Sequence, residues 1–419
     1  VKIAATLAAA LVAALAPIAA ARADDYGRAV FTDRRDPPTV APLAAEERAR
    51  FDLGQAVYNT TWVPAGLPRA ERRDGVGPLF INASCDSCHN NGARGRSGQR
   101  AGETPNSFVM QLGGPDTGAY GHVLNTNALP GYVPEGQVRV GSTVRAGRYV
   151  DGAPWMLREP RYTLVNLAYG ELAPRTVLKP RIGPALFGVG LLEAVPAAAI
   201  EAVRRSQPRA VRGRAAGRFG WQAEALSLQD QTERALEREM GLTTATRPQD
   251  DCTPAQAACR AAPHGGSPEV SADFLDALLT FQRELAVPGP APAADAPGAR
   301  LFDAIGCAQC HRMELPVRVN EVGRTIRPYT DLLVHDLGEG LADRRLDGRS
   351  ARSEWRTAPL WGLAHALARG DVALLHDGRA ASVEEAVLWH GGQAARARHR
   401  YLALSAAERA GLLAWLAAL

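Results

Sequence analysis

Apolar positions recur at helical spacing in four stretches of the chain. The first covers about 44–57 and leads to Gly77-Pro78-Leu79-Phe80. The second covers 226–240. The third, 269–285, carries Phe274, Leu275, Leu278, Leu279 and Leu285. The last opens on the capping box Ser405-Ala406-Ala407-Glu408 and carries Leu412, Leu413, Leu416 and Leu419 on one face. Residues 94–207 are rich in Gly, Pro and Arg with short apolar runs, which predicts loops and short strands, with 183–195 as buried packing. Residues 24–43 are polar and contain proline, an irregular arm. Val287-Pro288-Gly289-Pro290-Ala291-Pro292 reads as a linker, 287–297, dividing a first domain (24–286) from a second (298–419). The pattern predicts a mainly α protein of two domains, the first interrupted by a long insertion.

The apolar run 3–20 is of another kind. Lys2 precedes it, Pro17 breaks it, and Ala21-Arg22-Ala23 gives a small-x-small pattern before Asp24-Asp25. This reads as a signal peptide over 1–23, cleaved after Ala23, and so as export to the periplasm. The competing reading is a membrane anchor, for which the run is barely long enough and too rich in alanine. The composition, 46% hydrophobic and 22% charged over 419 residues, is that of a soluble globular protein. With 48 basic and 44 acidic residues the net charge is +4, too balanced for a nucleic-acid footprint. The only lysines are Lys2 and Lys179, and neither lies in a Gly-Lys-Ser/Thr loop, which excludes a P-loop.

Four of the six cysteines fall into two identical frames, Cys85-Asp86-Ser87-Cys88-His89 and Cys307-Ala308-Gln309-Cys310-His311. Cys-x-x-Cys-His is the attachment signature of a c-type haem. Two thiols one turn apart add to the vinyl groups of one haem, and the next residue, His, sits under the iron. A shared zinc or two thioredoxin-like redox pairs would use the cysteines but leave the histidine after each pair unexplained. The expectation is therefore two covalent haems on Cys85, Cys88, Cys307 and Cys310, with His89 and His311 as iron ligands. Cys252 and Cys259 read as a short-loop disulfide in an oxidising compartment.

A repeat follows each motif. Trp221 is followed six residues on by Ser227, and His376 six residues on by Ser382; each serine opens a helix with an acidic residue at its third position. Fourteen residues after His376 comes His390, just before Gly391-Gly392, where the first half has Ala235. His390 is expected as the sixth ligand of the second iron, against the plainer reading of a helix-terminal surface histidine. Ala235 has no donor, which leaves the first iron open unless Met110 or His122 closes it; each reads more simply as a packing or loop residue. His335 and His376 are expected to line the second pocket. Arg356 is expected to pair with a haem carboxylate.

Gly298-x-x-Leu301-Phe302 resembles the opening helix of class I cytochrome c domains, so the two domains are expected to be cytochrome c-like. Four further segments carry a wider resemblance: Gly217-Arg218-Phe219-Gly220-Trp221, the run from Leu186 to Ala194, the run from Glu354 to Leu363, and Leu375-His376-Asp377-Gly378-Arg379-Ala380. As a set they resemble the di-haem oxidoreductases of bacteria, a family of peroxidase type sometimes called thiol oxidoreductases. More distantly they are similar to di-haem cytochrome c peroxidases and to the di-haem enzyme of methylamine utilisation. The resemblance implies Trp221 between the haems, Gln231 ten residues later as a ligand-orienting group, and Glu239 as distal acid-base, two residues closer than the family spacing. His390 stands where the peroxidases carry a methionine, which should lower that haem's potential.

The function expected is peroxide reduction, with electrons entering at the C-terminal haem from a small redox protein, a cytochrome c or a cupredoxin, and passing to the N-terminal haem. A non-enzymatic di-haem electron carrier and an oxidase of thiols or protein side chains are the other readings.

Overall fold

A computed structural model of the chain describes residues 26–31, 36–67, 73–96, 106–320, 322–370 and 372–419. The expected signal peptide lies outside them. Among the described residues no helix is long and apolar enough to cross a membrane.

The helices stand where the 3.6-residue period puts them. Ala45–Asn59, Leu228–Met240 and Ala272–Glu284 build the first half around Phe51, Tyr58, Leu236, Leu278 and Phe281. In the second half Pro297–Ile305 packs on Ala406–Leu416, with Phe302 and Trp415 5.2 Å apart between centroids. A Cβ at Gly298 would lie 2.2 Å from that of Trp415, so only glycine lets these two helices approach so closely. The capping box at Ser405 and Glu408 forms as its sequence implies.

The expected fold class, mainly α with two cytochrome c-like domains in tandem, is corrected by the structure. The protein is 32% helix and 20% strand, with the strands in several small sheets. The longest strands, Gln137–Arg148 and Pro154–Val165, form a twelve-pair antiparallel hairpin inside the first half's insertion. In Gln137–Arg148 the apolar Val138, Val140, Val144 and Ala146 alternate with polar residues or glycine, a period of two that excludes a helix. Leu315–Val319 repeats the device after the second haem motif: Leu315 and Val317 are buried, Pro316 and Arg318 exposed.

Sheet strands also join the halves. Val177–Ile182 lies between Phe108–Gly113 of the first half and Arg344–Arg345 of the second. Val287 and Pro288, at the head of the proline-rich segment, are buried and pair in parallel with Arg28–Ala29. A shared core, Leu191, Leu192 and Ile200 against Leu315, Val317 and Trp361, fills the seam.

Candidate functional site

The two Cys-x-x-Cys-His segments fold alike. In both, the backbone N–H of the histidine donates to the carbonyl of the first cysteine at 3.0 Å, closing one helical turn under the two thiols. None of these four cysteines is in a disulfide. The histidine leaves the turn, and its Nδ1 is fixed by a backbone carbonyl: His89 to Pro184 at 2.7 Å, His311 to Tyr329 at 2.9 Å. Nε2 is then the nitrogen left for a metal, with its tautomer set by the hydrogen bond behind it. A Cβ at Gly183 would stand 3.0 Å from His89 Cε1, so a bare backbone gives that ring its room.

In the second half His390 caps the Val383–Trp389 helix and faces His311. Its Nδ1 is held by the Ala386 carbonyl at 2.7 Å, and the two imidazole centroids are 6.4 Å apart. An iron at about 2 Å from each Nε2 calls for roughly 6–6.5 Å between centroids. Burial, with His390 opposite, pushes His311 down to about 4; burial also lowers His390. Both are therefore neutral imidazoles, the form that binds a metal. Between them is a cavity of about 250 Å³ that also reaches Cys307, Cys310, Leu412 and Leu416. The residues present fit a haem held by two thiols and two histidines.

The cavity carries its own polar fittings. His376 stacks on Trp355 at 3.7 Å between centroids, and its buried Nε2 has no hydrogen-bond partner among the described residues. Arg356 donates to Gly220 O at 3.1 Å and Arg94 to the carbonyls of Ala373 and Leu375; burial pushes both guanidinium groups down to about 10. His335 reaches the same cavity between Asp331 Oδ2, at 2.8 Å, and Cys310 Sγ, at 3.7 Å.

The loop repeat is a repeat in space. The bridges Phe219↔Ala225 and Leu374↔Ala380 occupy matching positions, positive φ recurs at Gly220 and Leu375 and again at Ala223 and Gly378, and Ser227 and Ser382 each cap the helix that follows. Ala235 therefore takes in the first half the place that His390 takes in the second. One turn further on is Glu239, beside the first pair of thiols: its charge, after burial, helps push Cys85 and Cys88 up to about 12. Burial in turn raises the Glu239 carboxyl to about 7, against the weaker pull of Arg238. Gln231 lies elsewhere, in the first turn of the same helix beside Gly220 and about 12 Å from Glu239 along the axis.

Trp221 lines the second cavity under the Arg94 guanidinium, which lies 4.9 Å from its ring. Its Nε1 donates to Ile182 O at 2.9 Å, and two residues along that strand's exit is Pro184, whose carbonyl holds His89. Met110 is 1% exposed in the core of the insertion, and His122 is paired with Asp251 at 2.5 Å on the surface. Cys252 and Cys259 form a disulfide with Cα atoms 5.9 Å apart. The carbonyls of Pro184 and Tyr329, and the cavity residue Arg94, had no sequence signal, because backbone acceptors and packing partners follow no motif.

A family model described as "Di-haem oxidoreductase, putative peroxidase" matches residues 171–419. The chain belongs to this family. Di-haem oxidoreductases bind two haems, and the cavity between His311 and His390 gives one of them a place. No curated protein matches the chain. Among solved structures, the hydrazine synthase of Kuenenia stuttgartiensis, pressurised with 20 bar xenon, aligns over 100% of both chains at 14% identity with a TM-score of 0.36, too slight a likeness to inform the fold.

Proposed function

We propose that this di-haem oxidoreductase reduces peroxide at its N-terminal haem, with electrons entering at the C-terminal haem. The observation that carries the reading is the asymmetry of the two halves: His390 faces His311 across the second cavity, whereas Ala235 stands at the matching place in the first half and offers no ligand. Each haem would be tethered through thioethers to its own pair of cysteines and would supply one-electron redox chemistry when bound.

The chain's residues supply the rest. His89, held by Pro184, would be an iron ligand of the first haem, and Glu239 stands beside the same pair of thiols. At a pKa of about 7 that carboxyl is part protonated near neutrality, so it can give a proton to the departing oxygen of a peroxide and regain one from water. Hydrogen peroxide, two electrons and two protons become two waters. The path between the sites is the chain's own: Trp221, its hydrogen bond to Ile182, and the backbone to Pro184 and His89. Arg356 and His376 line the second cavity, where they would donate to the carboxylates of its haem. The donor is a small periplasmic redox protein, a cytochrome c or a cupredoxin.

The test is an electron paramagnetic resonance spectrum of the ferric protein with and without cyanide. One high-spin haem that binds cyanide beside one low-spin inert haem supports the enzyme. Two low-spin, inert haems would make the protein an electron carrier instead.

A further inference from the structure

The hairpin Gln137–Arg148 and Pro154–Val165 belongs to the first half by sequence, yet it closes on the second. Its turn places Tyr149, 6% exposed, in the second half's core with Leu388, Trp389, Tyr401 and Leu412, and Leu157 joins them. Tyr149 OH donates to Glu384 Oε1 at 2.6 Å, while the Arg409 guanidinium lies 3.8 Å from the Tyr149 ring and is paired with Asp151. Further along, Arg158 donates twice to Glu385: its backbone N–H to Oε1 at 2.8 Å and its guanidinium to Oε2 at 2.9 Å.

Glu384 and Glu385 both belong to the Val383–Trp389 helix, and His390 is its C-cap. That helix has seven residues, too few to keep its own position in water. Its place is set by what grips it, and both carboxylates of its first turn are gripped by the hairpin. A metal ligand must be held to within about 0.5 Å to bind well.

We propose that the hairpin is a strap that keeps His390 within reach of the second iron, with Tyr149 and Arg158 as positioning residues acting through Glu384 and Glu385. The insertion, which lengthens the first half, therefore governs the coordination of the haem in the second half. This rests on the reading of His390 as the sixth ligand.

The experiment uses the ferric holoprotein and follows the second haem's low-spin resonance and its cyanide binding. In Tyr149→Phe and Arg158→Ala, and more so in the double variant, part of the low-spin signal should convert to high spin. The ligand-free population should rise roughly tenfold for each charge-assisted hydrogen bond lost. Arg158→Lys should recover part of the signal. Thr143→Ala, exposed in the same hairpin opposite Glu159, should leave both haems unchanged. If the Arg158 variants accumulate no holoprotein, Tyr149→Phe, which removes one hydroxyl, decides. An unchanged low-spin signal and no cyanide binding in these variants overturns the strap. His390→Ala separates the two readings: if it too leaves the second haem unchanged, ligation by His390 is wrong; if it alone converts the haem, only the strap is.

Discussion

Glu239 owes its properties to its surroundings. No hydrophobic or polar pattern marks it apart from the other acids of the 228–240 helix, yet burial at the end of that helix lifts its carboxyl to about 7. Glu239→Ala should slow peroxide turnover about a hundredfold, the usual reach of a positioned proton donor, while leaving both haem spectra intact. Unchanged turnover under steady-state assay removes the acid-base role. The sign of the pH effect follows from the raised pKa: the protonated acid is present below about 7 and lost above it, so turnover limited by proton delivery should fall as pH rises through that value. A pH–rate profile of Glu239→Gln should lack that limb. At His390 the expected change is spectroscopic, with His390→Ala turning the low-spin haem high-spin without disturbing the other.

At the scale of elements, a seven-residue helix, Val383–Trp389, with Ser382 at its start, carries His390 at its end. Ser382 Oγ accepts the Glu385 N–H at 3.0 Å. Ser382→Ala should cost about 1 kcal/mol of stability, measurable as a lower midpoint in urea. Ser227→Ala, at the matching cap, should cost a similar amount and leave the second haem's spin state alone. Both caps were legible as a serine with an acidic residue three places on. The hairpin strands were legible only in part: their alternation of apolar and polar residues is plain in Gln137–Arg148, but Gly141, Gly147, Pro154 and Pro160 break the run and read as loop. The short strand Val334–Asp336, paired with Glu354–Arg356, has too few residues for any period to show.

The whole molecule is held as one unit by contacts between halves. Arg181, in the strand that leaves the insertion, makes a two-pronged ion pair with Asp343 of the second half at 2.7 and 2.8 Å, and both side chains are at most 5% exposed. Removing one partner strands a buried charge. Asp343→Ala should therefore cost about 3–5 kcal/mol, read as a shift of the chemical unfolding curve, and should bring the two halves to separate transitions. A single transition at the wild-type midpoint would show that the pair does not couple them. Pyridine haemochrome on denatured protein should give two thioether-linked haems per chain, and Cys88→Ala should leave one of them attached by a single bond.

By itself, the sequence determined the local features: two thiol pairs each followed by histidine, a repeat with a histidine in only one copy, and helices whose period survives any packing. These features are local, fixed by spacings of a few residues and by the backbone geometry those spacings impose. Only the tertiary structure decided what stands opposite each site. The 6.4 Å gap between His311 and His390, the carbonyls that orient His89 and His311, the approach of Glu239 to Cys85 and Cys88, and the grip of a first-half hairpin on a second-half helix all join residues far apart in the chain. Their cause is the burial of apolar surface in shared cores, which brings distant residues together without marking any of them in the sequence.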